Sequence, residues 1–326
     1  MKVCIVGAGA IGGWIGTRLA AAGVTVNAIA RGEPLAALRT HGWRLQMADG
    51  LVQAPVAAAS AQAADLGVQD LVIIAVKGPA LTAVAQGLAP LLGPQTIVLP
   101  AMNGVPWWFC KGLPGFEEPL ASVDPGGVIA GAIAFDHVMG CVVHAATATT
   151  EPGLVQHKGG NSLIVGEAAG GRSDRARRVA DLLARGGFDV KHSDNVRLDI
   201  WYKLWGNLTM NPVSALTGAT IDRILGDPLV RAFCSQVMLE AQVIGARLGC
   251  GIEETPEARH AVTAKLGAFK TSMLQDAQAG RLLELDAIVG VVHEIGGRLG
   301  MPTPSIGGLL GLTRLMARGR GLYPDV

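Results

Sequence analysis

Lys2-Val3-Cys4-Ile5-Val6-Gly7-Ala8-Gly9-Ala10-Ile11-Gly12 is the stretch that decides the fold. Lys2 to Val6 reads as a buried strand, and Ala10 to Ala22 as a helix of small residues. The glycines fall at the junction. Gly7 permits a tight turn, Gly9 lets a pyrophosphate approach the backbone, and Gly12 lets the helix pack against the sheet. Free N–H groups and the positive end of the helix dipole then face the phosphates. An unliganded glycine-rich turn is the plain alternative, but the place of the motif between a strand and a helix favours a dinucleotide.

Outward from there, short β-rich runs alternate with helical stretches. Val24 to Ala30 predicts a second strand, and Trp43 to Met47 with Leu51 to Ala57 a hairpin around Asp49-Gly50. Leu71 to Val76 and Thr96 to Leu99 predict further buried strands, separated by a helix to about residue 92. This alternation predicts a Rossmann-type, doubly wound parallel sheet in an α/β domain. A loop-rich segment follows, with Trp107-Trp108-Phe109 and several prolines. Strand-like pieces are expected over 127–134, 141–149, 154–157 and 162–165, then a helix over 174–185 and a strand near Val190. Beyond Asp194 almost everything reads as helix. Leu229, Val230, Phe233, Val237, Ala241, Ile244 and Leu248 form one apolar face, Thr255-Pro256 is a helix start, and helical runs reach about 279, 299 and 319. The expected layout is a nucleotide-binding domain over 1–194 and an all-helical domain over 195–326.

Composition narrows the function classes. The chain has 326 residues, enough for two domains, and Lys plus Arg exceeds Asp plus Glu by one. With 4% aromatic residues and no basic stripe, nucleic-acid binding is not expected. Five scattered cysteines form neither a disulfide framework nor a metal motif, and no metal site is readable. Arg18 and the glycines argue against a signal peptide in the first 24 residues. No apolar run is long enough to span a membrane, so a soluble cytoplasmic protein is expected.

Cofactor choice rests on the end of the second strand, Ala28-Ile29-Ala30-Arg31. An acid there would repel a 2′-phosphate, whereas a guanidinium pairs with it, so NADPH is favoured over NADH. Glu33 leaves NADH open. Lys77 and Asn103 sit just beyond the carboxyl ends of strands, where ligands bind in such sheets, although each also fits an ordinary turn. Lys203, Asn207 and Asn211 are four apart and make a polar stripe on one helical face. Pro212 follows, and by removing a backbone donor it can kink the helix and free the carbonyl of Leu208. Ser272-Met273-Leu274-Gln275-Asp276, with Glu284 beyond, says little alone.

Together these residues resemble the ketopantoate reductase (2-dehydropantoate 2-reductase) family over nearly the whole chain. The resemblance rests on Gly7-Ala8-Gly9-Ala10-Ile11-Gly12, Arg31, Lys77, Asn103-Gly104, Lys203-Leu204 with Asn207 and Asn211-Pro212, and Ser272 to Asp276 with Glu284. It implies NADPH-dependent reduction of 2-dehydropantoate to pantoate, a step of pantothenate biosynthesis. It assigns Lys203 as general acid and Glu284 as the carboxylate that binds the substrate hydroxyl. Asn207, Asn211 and Ser272 would hold the substrate hydroxyl and carboxylate, with Lys77 and Asn103 near the nicotinamide and Arg31 at the 2′-phosphate. Two features depart from the family pattern. Thr217 to Ile221 lacks the polar residue often found after the Asn-Pro pair, and Pro106 to Pro125 is long enough to wall a substrate pocket.

Other readings stay open. A related reductase of a branched or aromatic 2-oxo acid would use the same residues. A non-catalytic NADPH sensor would need only the glycines and Arg31. A β-hydroxyacid dehydrogenase would more usually space its lysine and asparagine as Lys-x-x-Asn. The apolar helices of the second domain would suit a homodimer.

Overall fold

The computed structural model describes residues 1–325, which divide into two compact units: 1–102 with 128–199, and 103–127 with 200–325. The segment after Met102 therefore groups with the helical part of the chain.

In the first unit, β1 (Val3–Val6), α1 (Ala10–Ala21), β2 (Val26–Ile29) and α2 (Gly32–His41) follow one another as the alternation predicts. Next come the hairpin β3 (Trp43–Met47) and β4 (Gly50–Ala54), then β5 (Ala59–Ser60), β6 (Leu71–Ile74), α3 (Leu81–Gln86) and β7 (Ile97–Pro100). Five strands pair in parallel in the order β5-β2-β1-β6-β7, with Val3 opposite both Val26 and Leu71. The runs β1, β6 and β7 are buried at every position, as parallel strands covered on both faces must be.

The rest of this unit is α4 (Val128–Ala132), β8 (Met139–Glu151), β9 (Leu154–Glu167), α5 (Asp174–Arg185) and β10 (Asp189–His192). Residues 127–134 are thus mainly helical, not a strand. Ile129 and Ile133, four apart, are buried together, a helical rather than an alternating pattern. The pieces 154–157 and 162–165 are one long strand, paired antiparallel with β8. The β3–β4 hairpin joins β9 and β10 in a second sheet rather than extending the first. Small residues on α1 let this second sheet approach. A Cβ at Gly13 would lie 2.6 Å from Val155 Cγ2, and one at Gly16 would lie 2.7 Å from the Trp43 ring.

The helical unit holds most of α6 (Val196–Thr217), then α7 (Ile221–Gly226), α8 (Pro228–Arg247), α9 (Pro256–Ala264), α10 (Ser272–Gln278), a π-helical turn (Asp286–Gly290), α11 (Val291–Arg298) and α12 (Pro304–Gly319). Its helix starts are written in the sequence: Asp227, Thr255 and Thr271 each accept a hydrogen bond from a first-turn N–H. The indoles of Trp201 and Trp205 donate to the carbonyls of Ala241 and Met238, fixing α6 against α8. Within the expected apolar face of α8, Val237, Ala241, Ile244 and Leu248 are buried, but Leu229 is 81% exposed and Phe233 lies partly open. The first turns of α8 project beyond the core that its later turns cover.

The 103–127 segment packs within the same unit. Trp107, Trp108 and Phe109 are all buried, and Phe109 stacks on Trp201 with centroids 5.7 Å apart. These aromatics are core. Glu294 of α11 accepts the N–H groups of Ala121 and Ser122, while Arg298 donates to the Glu118 carbonyl. Burial raises the Glu294 carboxyl pKa, but the hydrogen bonds from Ser122, Ala121 and Arg298 outweigh it and hold the pKa below the usual range. Among the described residues, no helix is long and apolar enough to cross a membrane.

Candidate active site

In the first unit the glycine turn has the shape a dinucleotide needs. Gly7 has φ of 97°, and a Cβ there would lie 2.7 Å from Val76 Cγ1 and 2.9 Å from the Ala75 carbonyl oxygen. A Cβ at Gly12 would collide with the Gly7 carbonyl oxygen. Gly9, by contrast, has nothing within 4 Å of where its Cβ would be. Two glycines are therefore imposed by packing and the middle one faces open space. Gly9 caps α1 with no side-chain hydrogen bond, and no acid stands in the first turn. The backbone donors of Ala10 and Ile11 are left at the positive end of a 12-residue helix. Ala8, between the first two glycines, is buried. This cradle fits a dinucleotide pyrophosphate. Arg31 is exposed at the N-terminus of α2, just past β2, and Glu33 lies in that helix's first turn. Lys77 is exposed just past β6, at the same carboxyl edge of the sheet.

The helical unit carries the polar stripe. On α6, Tyr202, Lys203, Gly206 and Asn207 are half-open, while Leu204, Trp205, Leu208 and Thr209 are buried. Lys203 Nζ donates to Asn103 Oδ1 at 2.8 Å, joining two residues 100 positions apart. Asn211 is 4% exposed, and its Nδ2 has no hydrogen-bond partner. A buried amide donor left unsatisfied costs about 1–3 kcal/mol, so it marks a place where a ligand acceptor would be stabilising. α6 continues through Pro212 without breaking. The hydroxyls of Thr209, Ser214 and Thr217 bond back to helix carbonyls, and the Trp205 indole holds the helix on the amino-terminal side of the gap in its donors.

Two further elements meet this stripe. Ser272, exposed, opens α10, and its neighbour Thr271 shares a hydrogen bond with Ser214 Oγ at 2.5 Å. Ser214 in turn donates to the Asn211 carbonyl at 2.9 Å, so α10 begins one helical turn along from Asn211. Glu284 is half-buried just ahead of the π-helical turn. Within that turn the Ala287 carbonyl accepts the Val105 N–H at 2.8 Å. Gly104, with φ of 81°, sits so close that a Cβ would collide with Ala287. The Asn103-Gly104-Val105 turn thus ties Lys203 on one side to the Glu284 segment on the other.

Ser214, Thr271 and Ala287 were not singled out from the sequence. Only Thr271 had a visible signal, as a cap before an apolar run; the others depend on pairings between distant segments. Asp286 in the π-turn accepts the Tyr323 hydroxyl at 2.7 Å. Burial raises the Asp286 carboxyl pKa, and burial together with Asp286 pushes Tyr323 up to about 12.

A Rossmann-type unit with a phosphate cradle, followed by a helical unit bearing a lysine-amide stripe, defines an oxidoreductase acting on a CH–OH group. The chain belongs to the ketopantoate reductase family. The family model described as ketopantoate reductase PanE/ApbA matches residues 3–170, and that of the PanE/ApbA C terminal matches 195–317. A 2-dehydropantoate 2-reductase of Mesorhizobium japonicum is 43% identical over 99% of this chain and 100% of its own. A structure from Ralstonia solanacearum MolK2, provisionally named a ketopantoate reductase, is 56% identical over 99% of both chains, with a TM-score of 0.95. The PanE/ApbA family ketopantoate reductase of Ralstonia eutropha JMP134 is 28% identical over 98% of this chain and 100% of its own, with a TM-score of 0.84.

Proposed function

We propose that this protein reduces 2-dehydropantoate to pantoate with NADPH, a step of pantothenate biosynthesis, and that Lys203 is the general acid. The observation that carries this reading is the Lys203 ammonium held 2.8 Å from Asn103 Oδ1, on the helix face that also bears Asn207 and Asn211. Bound NADPH would supply the hydride. As the ketone gains it, negative charge builds on the carbonyl oxygen, and a positioned ammonium stabilises that charge and then gives up its proton. The amine left behind regains a proton from water. Asn103 accepts one of the three ammonium donors and so fixes where the ammonium points.

The amides of Asn207 and Asn211 and the hydroxyl of Ser272 hold the substrate's hydroxyl and carboxylate. Glu284 accepts from the substrate hydroxyl and orients it. The first unit binds the pyrophosphate on Gly7 to Gly12, and Arg31 pairs with the 2′-phosphate, which is the reason for NADPH over NADH. Lys77 and Asn103 act on the nicotinamide side. The nucleotide domain is read as 1–194 and the substrate domain as 195–326, with Asn103 to Gly127 contributed to the second. The protein works as a soluble cytoplasmic enzyme, and its exposed Leu229 and Phe233 suit contact with a second copy.

The test follows absorbance at 340 nm with NADPH and a panel of 2-oxo acids, 2-dehydropantoate first and NADH as control. Fast oxidation with 2-dehydropantoate and a clear NADPH preference is expected. Turnover of only a different oxo acid would keep the chemistry and move the substrate. No turnover with any, despite tight NADPH binding, would leave a nucleotide sensor.

A further inference from the structure

Arg259 on α9 lays its guanidinium along the half-open strip of α6. Its Cζ lies 4.7 Å from the centroid of the Tyr202 ring, and Nη1 donates to the Tyr202 hydroxyl at 3.3 Å. On the next turn, a Cβ at Gly206 would come within 3.2 Å of both Nε and Nη2. A side chain there would make the guanidinium give by a few tenths of an ångström. Tyr202 and Gly206 are the chain neighbours of Lys203 and Asn207 on α6, the helix that carries the residues the proposed reduction uses.

The cation is incompletely satisfied. Nε is buried with no hydrogen-bond partner. Among the described residues, no carboxylate lies within ion-pair distance of Arg259. The one in reach, Glu254, is a step removed, taking the Tyr202 hydroxyl at 2.5 Å. Tyr202 is accordingly pushed up, first by burial and then by its bond to Glu254. A half-buried guanidinium with spare donors and no counter-ion is an anion-binding group, and its planar fork matches a carboxylate. A 2-oxo acid carries a carboxylate directly beside the carbonyl that Lys203 would protonate.

We infer that Arg259 anchors the substrate's carboxylate and selects 2-oxo acids over neutral ketones, an inference that rests on the reductase reading above. Asn207, Asn211 and Ser272 then supply uncharged hydrogen bonds, and Arg259 supplies the charge that they lack.

The experiment compares wild type, Arg259→Met and Arg259→Lys with 2-dehydropantoate and with its neutral lactone. KM for the acid should rise roughly 10- to 100-fold in Arg259→Met, the span of one charged hydrogen-bonded contact. The fall in kcat should be smaller, NADPH affinity unchanged, and lactone kinetics unaffected. Arg259→Lys should recover part of the loss. Where lactone turnover is too slow to read, competition by oxamate gives the same comparison, its inhibition constant rising 10- to 100-fold in Arg259→Met. An equal loss with acid and lactone, or an unchanged KM for the acid, overturns the anchor while the reductase stands. A wild type that reduces no 2-oxo acid overturns both.

Discussion

At the scale of single residues, the reading turns on where charge sits and what it faces. Arg31 stands exposed past β2, where a negative side chain would be expected for NADH. Replacing it with Glu should therefore weaken NADPH by about 10-fold or more while leaving NADH nearly unchanged. The ratio of kcat/KM for the two cofactors checks this, and an unchanged ratio would show Arg31 to be a solvated surface residue. Asn211 presents the complementary case of a buried donor awaiting an acceptor. Asn211→Leu should keep the protein folded, because an unpaired amide is exchanged for an apolar group of similar size. It should nonetheless raise KM for the oxo acid, and a lower thermal midpoint with normal kinetics would contradict that.

Among elements, the π-helical turn and the Asn103-Gly104-Val105 turn act as one joint. Gly104→Ala places a Cβ against the Ala287 carbonyl at a positive φ, so one of the two turns must shift. The expected loss of stability is about 1–3 kcal/mol. Turnover should fall more than this explains, because Asn103 moves with its neighbour, while NADPH affinity holds. Normal kcat in a folded Gly104→Ala protein would show that the joint does not position Lys203. Such a joint is hard to see in a sequence. Lys203, Asn207 and Asn211 were legible because helical spacing puts them on one face, and the glycines because the strand and helix around them are unambiguous. The Asn103–Lys203 pair spans 100 residues and the Val105–Ala287 bond 182, and no local pattern encodes either. The 127–134 stretch misled for a related reason: a short apolar run fits strand or helix alike until its burial is known.

For the whole molecule, the buried titratable groups predict how it responds to pH and to thiol reagents. His260 is buried, with Nε2 3.1 Å from Ser235 Oγ, and burial holds its pKa below the ordinary imidazole value. The unfolded chain therefore binds this proton first. Stability from this group is complete above about pH 6.5 and is lost as pH falls toward the lower folded pKa. Urea midpoints should decline over that window in wild type and decline less in His260→Asn; parallel curves would contradict the assignment. All five cysteines are buried thiols outside any disulfide, and burial pushes Cys4 and Cys234 up to about 12. Few thiolates are then available, so an aromatic disulfide reagent should find no fast thiol in the native protein and five after denaturation.

The central claim is that the Lys203 ammonium delivers the proton, and the most direct measurement pairs turnover with cofactor binding in Lys203→Ala. The account predicts a fall in kcat of about 10²–10⁴ with 2-dehydropantoate and an unchanged NADPH dissociation constant. Turnover near the wild-type rate, with NADPH still bound, would contradict it.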